Sequence, residues 1–283
     1  MKTLSRLAAF TALLACAGPT PPVHAEPPAP LSAASFAQIA TATDALFAGK
    51  TPSPATQNFF KAYDNTAHTY RRNPECVAAG VDLSCMSISN SANADGSGGL
   101  RGCVTLVTPL HGVTNQHFGQ PYALGVVHYF VDRANKVYPR KVVRAEQVEG
   151  TDIEVVTFDA PLPASVPPAP LLPASALARL LPPGTPLLAT NQLKTLVVTE
   201  LAGMSGGEII VRPATAPARR AWTASPPAVL GDSDSPTFVV IDRRPYLLFT
   251  YHTSGSGPAL SENISGIRSL IGSKYPLDVA AVR

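Results

Sequence analysis

Short runs of β-forming residues recur along this chain from residue 103 to residue 251, and they constrain its fold more than any other feature. The runs are rich in Val, Ile, Leu, Thr and aromatic residues, with Gly, Asp, Asn or Pro between them. They are CVTLV (103–107), ALGVVHYFV (123–131), KVVRAEQV (141–148), IEVVTF (153–158), TLVVTEL (195–201), EIIVR (208–212), TFVVI (237–241) and YLLFTY (246–251). Repeated short strands separated by turn residues are typical of a barrel or sandwich, so we predict an all-β fold.

A Pro-dense segment divides these runs into two groups. Residues 161–186 contain the stretches LPASVPPAP and LPPGTP, which a central strand could not hold because Pro lacks the N–H that a sheet ladder needs. We predict a connector here, with a short helix at 174–181, between one β-lobe at about 85–160 and a second lobe within 187–283. The chain then ends in a helix at residues 263–271.

The N-terminus has the features of an export signal. Lys2 and Arg6 precede an apolar run at residues 7–15, which is too short to span a bilayer, and Val23-His24-Ala25 is typical of a cleavage site. We predict a signal peptide over residues 1–25. A bacterial lipoprotein box ending at Cys16 is the alternative, and a lipid on that Cys would then anchor the protein. Either interpretation predicts export to a periplasmic or extracellular location, or to the outer membrane as a lipoprotein.

Residues 26–75 are predicted to be a linker and a helical extension that precede a main domain at 76–283. Apolar residues spaced for one helix face predict an amphipathic helix over residues 33–48 that ends near Gly49. This extension is either a prefix that packs on the main domain or a propeptide.

Composition excludes several classes of partner and cofactor. The net charge is +3, and Lys2 and Arg6 supply two of those charges. The rest of the chain carries about +1, which does not indicate the basic surface that nucleic-acid binding needs. No Cys/His spacing indicates zinc, and GMSGG (203–207) lacks the Lys of a phosphate loop, so it is interpreted as a hairpin turn. We therefore expect no metal and no cofactor.

Three cysteines follow the signal segment, namely Cys76, Cys85 and Cys103. In an exported chain a disulfide is plausible, and a Cys76–Cys85 bond would close a short loop. Cys103 opens an apolar run and could instead be a buried free thiol. Because three cysteines cannot all pair within one chain, at least one thiol is expected to remain free.

A histidine, an aspartate and a serine carry the candidate chemistry, in that order along the chain. The first segment is LVTPLHGVTNQHF (106–118). In it an apolar run ends, a short turn follows, and His117 lies at the end of a second short stretch of apolar and then polar residues. The second is TDIEVVTFDAPLP (151–163), which places Asp152 at the start of an apolar strand; a turn residue is the alternative. The third is GDSDSP (231–236), in which Ser233 is either a nucleophile or part of a polar turn.

These three segments resemble the catalytic motifs of trypsin- and chymotrypsin-like serine proteases, in the same chain order. The resemblance covers residues 85–271 and implies two antiparallel β-barrels of six strands each, with the site between them. Asn115 and Gln116 replace the small pair usual before the histidine, and Phe118 replaces a cysteine. The implied function is an exported serine endopeptidase that acts on protein or peptide substrates without a cofactor.

The resemblance implies a role for each residue of the site. Ser233 would attack the scissile carbonyl, His117 would take its proton, and Asp152 would orient the imidazole. The backbone N–H groups of Gly231 and Ser233 would form the oxyanion hole, and Asp232 corresponds to a buried acidic residue that orders this loop.

One residue departs from the family pattern. Asp234 stands where the family usually has Gly. In the cleft its carboxylate would raise the pKa of His117 and repel an oxyanion, whereas toward solvent it would change little. A non-catalytic relative that binds peptides or proteins in its cleft is therefore the alternative function.

The substrate-binding wall is expected in YHTSGSG (251–257). Thr253, Ser254 and Gly255 are predicted to pair with the substrate backbone as a short strand. His252 either receives an acidic substrate side chain, as a histidine does in glutamate-specific relatives, or is a half-buried strand residue with a satisfied hydrogen bond. Residues 224–230 contain no Asp, which argues against a preference for Lys or Arg.

Overall fold

The protein is β-rich and has few helices in a computed structural model that describes residues 29–88, 102–118, 124–224 and 226–283. Its described strands form a two-stranded, a five-stranded and a six-stranded sheet. The predicted signal peptide and the lipid site at Cys16 lie outside the described residues. None of the described helices combines the length and the apolar character needed to cross a bilayer.

The N-terminal extension begins with the predicted helix, which is broken once. Helices α1 (Ala33–Ala37) and α2 (Ile39–Phe47) are separated at Gln38. The stripe Phe36, Ile39, Thr43 and Phe47 is buried, as its spacing predicts. A third helix and a hairpin follow: α3 (Pro54–Gln57), β1 (Phe60–Asp64) and β2 (Thr69–Arg72). Because its apolar stripe packs inward, this extension is part of the folded body.

The five-stranded sheet contains the segments that carry His117 and Asp152. Its strands are β3 (Thr105–Leu106), β4 (His111–Asn115), β5 (Val127–Val131), β6 (Val137–Gln147) and β7 (Ile153–Phe158). The spatial order is β3-β4-β7-β6-β5, with all neighbours antiparallel. Met86 pairs with Thr105 of β3, and Ser87 pairs with Phe130 of β5, so this segment bridges the two outer strands.

The six-stranded sheet carries the Ser233 loop. Its strands are β8 (Pro186–Thr190), β9 (Leu196–Ser205), β10 (Glu208–Pro213), β11 (Pro236–Ile241), β12 (Arg244–Thr250) and β13 (Ser256–Pro258), in the spatial order β12-β11-β8-β9-β10-β13. The β9–β10 turn has Gly206 and Gly207 at positive φ, 58° and 79°, which suits a tight hairpin. The hairpin interpretation of GMSGG is therefore confirmed.

In the part of the chain that the structure describes, three further α-helices follow: α4 (Ala174–Leu180), α5 (Pro217–Arg220) and α6 (Ile264–Ile271). The first lies within the Pro-rich connector and the last is the predicted terminal helix. Asn263 precedes α6 without capping it, because its side-chain amide donates to the Ala259 carbonyl instead.

The predicted Cys76–Cys85 disulfide is absent. Cys76, Cys85 and Cys103 are all buried free thiols. The Cys76 thiol points to the Gln57 carbonyl at 3.7 Å, whereas Cys103 Sγ lies 3.4 Å from the carbonyl oxygen of Ser87. Burial raises the pKa of the Cys85 thiol well above its usual range, so this side chain packs as a small apolar group.

His128 is a buried structural residue of β5, with Nδ1 3.2 Å from the Ser87 hydroxyl. Burial, assisted by the charge of Lys194, lowers the pKa of His128 from 6.5 to about 4. The imidazole is thus neutral in the folded protein at pH 7.

Acidification is expected to destabilise the fold through His128. The pKa of His128 is lower in the folded protein than in the unfolded chain. Between about pH 6.5 and pH 4 the unfolded chain therefore binds a proton at His128 that the native state does not bind. Unfolding free energy should fall by roughly 2–3 kcal/mol across that window. Denaturant titrations at several pH values would show this, and His128→Gln should flatten the dependence. An unchanged slope in that variant would contradict the assignment.

Candidate functional site

His117 and Asp152 are brought together by two neighbouring strands. Asn115 at the end of β4 pairs with Ile153 at the start of β7, so the residues just beyond each strand meet. His117 lies in a 3-10 helix, Gln116–Phe118, directly after β4. Its Nδ1 lies 2.7 Å from Asp152 Oδ2, and its backbone N–H donates to Oδ1 at 2.9 Å. Two hydrogen bonds from one residue fix both the position and the orientation of the ring.

The electrostatics of this pair suit a general base. The hydrogen bond to Asp152 raises the pKa of His117, burial opposes that rise, and the charges of Asp152 and Asp234 add to it. Because the carboxylate accepts at Nδ1, the proton of the neutral ring lies there and Nε2 is left to accept another. The His117 side chain is 38% exposed, so a substrate can approach it.

The loop that carries Ser233 is held by Asp232, which is buried as predicted. Its carboxylate accepts from the backbone N–H of Val229 at 2.9 Å and of Gln192 at 3.0 Å. Gly231 has φ +94°, and a Cβ there would lie 2.8 Å from the Gln192 side-chain amide. The loop therefore favours Gly at this position for its backbone conformation, whereas the flexible Gln192 side chain could move away from a Cβ.

The predicted oxyanion donors, the backbone N–H groups of Gly231 and Ser233, lie in the loop that Asp232 holds. Within the described residues, the backbone N–H groups of Gly231 and Ser233 donate no hydrogen bond. The half-buried Ser233 hydroxyl likewise bonds to no described residue, His117 included. The structure thus joins His117 to Asp152 but shows no hydrogen bond between His117 and Ser233.

Asp234, next to Ser233, points into the protein and not to solvent. It is fully buried, and its Oδ1 accepts from the backbone N–H of Asn115 at 2.5 Å. Its φ of +70° is one that Asp tolerates better than most residues. Burial raises the pKa of Asp234 to about 8. The carboxyl is therefore largely protonated at pH 7, so its charge raises the pKa of His117 only through the small fraction that is ionised.

Asn115 connects the two larger sheets at the site, a role that the sequence did not indicate. Its Nδ2 donates to the Tyr251 carbonyl at 2.5 Å, and its Oδ1 accepts from the Thr250 hydroxyl. Tyr251 O also accepts from the Asp234 N–H at 3.0 Å. The end of β4, the end of β12 and the Ser233 loop thus share one buried network. The sequence offered no signal for this role, because the segment HGVTN lacks the pattern of a buried strand.

Replacing Asn115 with Ala is expected to loosen the site and the fold together. The change removes two buried side-chain hydrogen bonds and leaves the Thr250 hydroxyl without its acceptor. Unfolding free energy should fall by about 2–4 kcal/mol. Urea titration would measure this loss, with Gln38→Ala, at an exposed amide of helical backbone, as the control. A loss below about 0.5 kcal/mol would contradict the network.

His252 lies beside the His117–Asp152 pair, at the edge of a groove. Its Nδ1 lies 2.9 Å from Glu208 Oε1, and its Nε2 lies 4.0 Å from Asp152 Oδ2. The His252 and His117 rings have centroids 5.9 Å apart. His252 is thus a half-buried residue with a hydrogen-bond partner.

The adjacent wall residues form a turn between β12 and β13. Thr253 and Ser254 are exposed, the Ser254 carbonyl accepts from Ala228 N–H at 3.1 Å, and the Gly255 carbonyl accepts from Val211 N–H at 2.8 Å. The turn is therefore anchored on two sides, while its role in binding substrate stays a prediction.

The groove beside this cluster is acidic. It encloses about 630 Å³ between the end of β6, the β9–β10 turn and the start of α6. Asp152, Glu208 and Glu262 contribute carboxyl groups to its described lining, which contains no Lys or Arg. This side of the site therefore favours cations.

Comparison with known proteins adds no family. No family model matches the chain, and no curated protein matches it significantly in sequence.

Proposed function

We propose that this protein is an exported serine endopeptidase of the trypsin-like class. The observation that carries the proposal is the double hydrogen bond from His117 to Asp152, residues that are 35 positions apart. It arranges an imidazole as a base at the face where the Ser233 loop lies against β4.

A trypsin-like double barrel is supported by the strand pairings. Each larger sheet is antiparallel, and the Met86–Ser87 segment bridges the outer strands of the five-stranded one. Counting that segment gives six β-segments in each sheet, the number that the resemblance implies. The three candidate triad residues also keep the chymotrypsin order along the chain.

The proposed reaction proceeds through an acyl-enzyme. Ser233 Oγ attacks the scissile carbonyl carbon while His117 Nε2 takes its proton, and Asp152 stabilises the imidazolium. The N–H groups of Gly231 and Ser233 bind the oxyanion. The C–N bond breaks as His117 gives the proton to the leaving amine, and a water then cleaves the ester by the same steps reversed. Catalysis requires the Ser233 hydroxyl to turn toward Nε2 when substrate binds.

A non-catalytic peptide-binding module is the second candidate. Asp234 in place of Gly and the absence of a Ser233–His117 hydrogen bond favour it. In that case the acidic groove would hold peptides without cleaving them.

Hydrolysis of an unfolded protein separates these functions. Purified protein should cleave casein to new N-termini, and phenylmethylsulfonyl fluoride should stop the reaction. Ser233→Ala should lose the activity, about 10⁴-fold or more, while Ser235→Ala serves as the control two residues away. Peptide binding without cleavage by the folded protein would support the binding module. Cleavage of esters alone would restrict the activity to an esterase.

A further inference from the structure

The cluster of His117, Asp152 and His252 has the composition of a transition-metal site. One potential ligand atom from each of the three lies within 4.8 Å of the other two. Two imidazoles and a carboxylate are ligands that Zn²⁺ prefers, with three protein ligands and one open position.

We propose that this cluster binds a zinc ion that reversibly switches off the serine hydrolase. The ligands are His117 Nδ1, an Asp152 carboxylate oxygen and His252 Nε2. Metal binding stands on this geometry alone, whereas its inhibitory effect rests on the proposed function.

The distances suit an ion after small adjustments. Zn²⁺ with bonds of about 2.0–2.2 Å and tetrahedral angles separates its ligands by about 3.4 Å. His117 Nδ1 and Asp152 Oδ2 are 2.7 Å apart, and His252 Nε2 and Asp152 Oδ2 are 4.0 Å apart. Shifts of about 1 Å or less therefore open the first pair and close the second. Both histidines are partly exposed, so their rings can make these shifts and an ion can enter.

Glu208 supplies the outer support that zinc-binding histidines usually have. Its Oε1 lies 2.9 Å from His252 Nδ1, and its Oε2 accepts from the Ser256 hydroxyl at 2.6 Å. A carboxylate that accepts at Nδ1 leaves Nε2 unprotonated and oriented, as metal ligation requires. Glu208 and Glu262 also make the adjacent groove acidic, which raises the local concentration of cations.

Metal binding at Nδ1 would remove the base. The neutral His117 ring carries one proton, on Nδ1, where Asp152 accepts it. When Zn²⁺ takes the Nδ1 lone pair, that N–H bond breaks and the proton moves through solvent to Nε2. A ring protonated at Nε2 cannot accept the Ser233 proton, and Asp152 is engaged with the metal. The same two side chains thus serve either catalysis or the ion.

Titration of chelator-treated protein with ZnSO₄ tests the site. Isothermal titration calorimetry at pH 7.5 should give one ion per chain. His252→Ala should weaken binding about 100-fold or more, and Glu208→Gln about 10–100-fold, with circular dichroism confirming that both variants fold. His68→Ala, which removes an exposed histidine that stacks on Tyr129 and does not belong to the cluster, should change the affinity less than twofold. No binding, or equal binding by His252→Ala, would overturn the inference.

A second readout separates this inference from the proposed function. Ser233→Ala should bind Zn²⁺ like the wild type, because Ser233 is not a ligand. Saturating Zn²⁺ should slow fluorophosphonate labelling of the wild type at least about tenfold, and EDTA should restore it. Zinc binding without any labelling would refute the hydrolase and leave the metal site standing. Labelling that zinc does not slow would refute the switch and leave the hydrolase standing.

Discussion

Asp152→Asn is expected to lower kcat/KM about 10⁴-fold while leaving the fold intact. An amide can still meet the His117 ring, but its NH₂ group cannot accept the Nδ1–H proton as a carboxylate does. The imidazole would then favour the tautomer with the proton on Nε2. In that tautomer Nε2 cannot accept the proton of Ser233. The loss should appear mainly in kcat, because Asp152 contacts the base and does not bind substrate.

Steady-state hydrolysis of a peptide ester or amide would measure this effect. Asp159→Asn provides the matched control, since Asp159 lies seven positions away at the other end of β7 and is exposed. That variant should retain activity within about threefold. A loss below tenfold in Asp152→Asn would show that the carboxylate does not orient the base.

Asp234→Asn is expected to stabilise the protein by up to about 4 kcal/mol at pH 7. The folded pKa of Asp234, about 8, lies above its unfolded value of 3.8. The native state therefore holds a proton that the unfolded chain releases, so stability is full below about pH 4 and is lost as pH rises toward 8. Asn has the same shape, tolerates the positive φ, and keeps an oxygen for the Asn115 N–H, but it carries no ionisable proton.

Urea titrations of wild type and Asp234→Asn between pH 4 and pH 9 would test this. The two curves should converge near pH 4 and diverge as pH rises. Asp278→Asn, which changes a partly exposed carboxylate paired with Arg244, is the control and should not reproduce that divergence. Equal stabilities at pH 4 and pH 8 would mean that Asp234 is ionised in the fold.

Local pattern was sufficient to predict most of the strands. Each of the eight predicted runs overlaps a strand, because alternating β-branched residues between turn signals have few other ways to be buried. The pattern missed β4, whose sequence HGVTN has a single aliphatic residue although all five positions are buried. It also missed β8, because the first residue of PLLAT is a Pro that reads as the end of the Pro-rich connector.

The site was predictable in its residues and not in its connections. The pairing of His117 with Asp152 follows from two motifs that border neighbouring strands. The Asn115 network could not be predicted, because Tyr251 and Thr250 lie about 135 positions away and meet Asn115 only when the two sheets pack. Likewise, His252 meets Glu208 because β10 pairs with β13. Contacts set by packing between sheets leave no periodic signal in one sequence.

Fluorophosphonate labelling followed by peptide mapping tests most directly whether Ser233, His117 and Asp152 act as one unit. Metal-free, folded protein should take up about one probe per chain, on Ser233 Oγ. Labelling should be lost in Ser233→Ala and fall by orders of magnitude in His117→Ala. Folded protein that stays unlabelled, or a probe found on another serine, would contradict the triad.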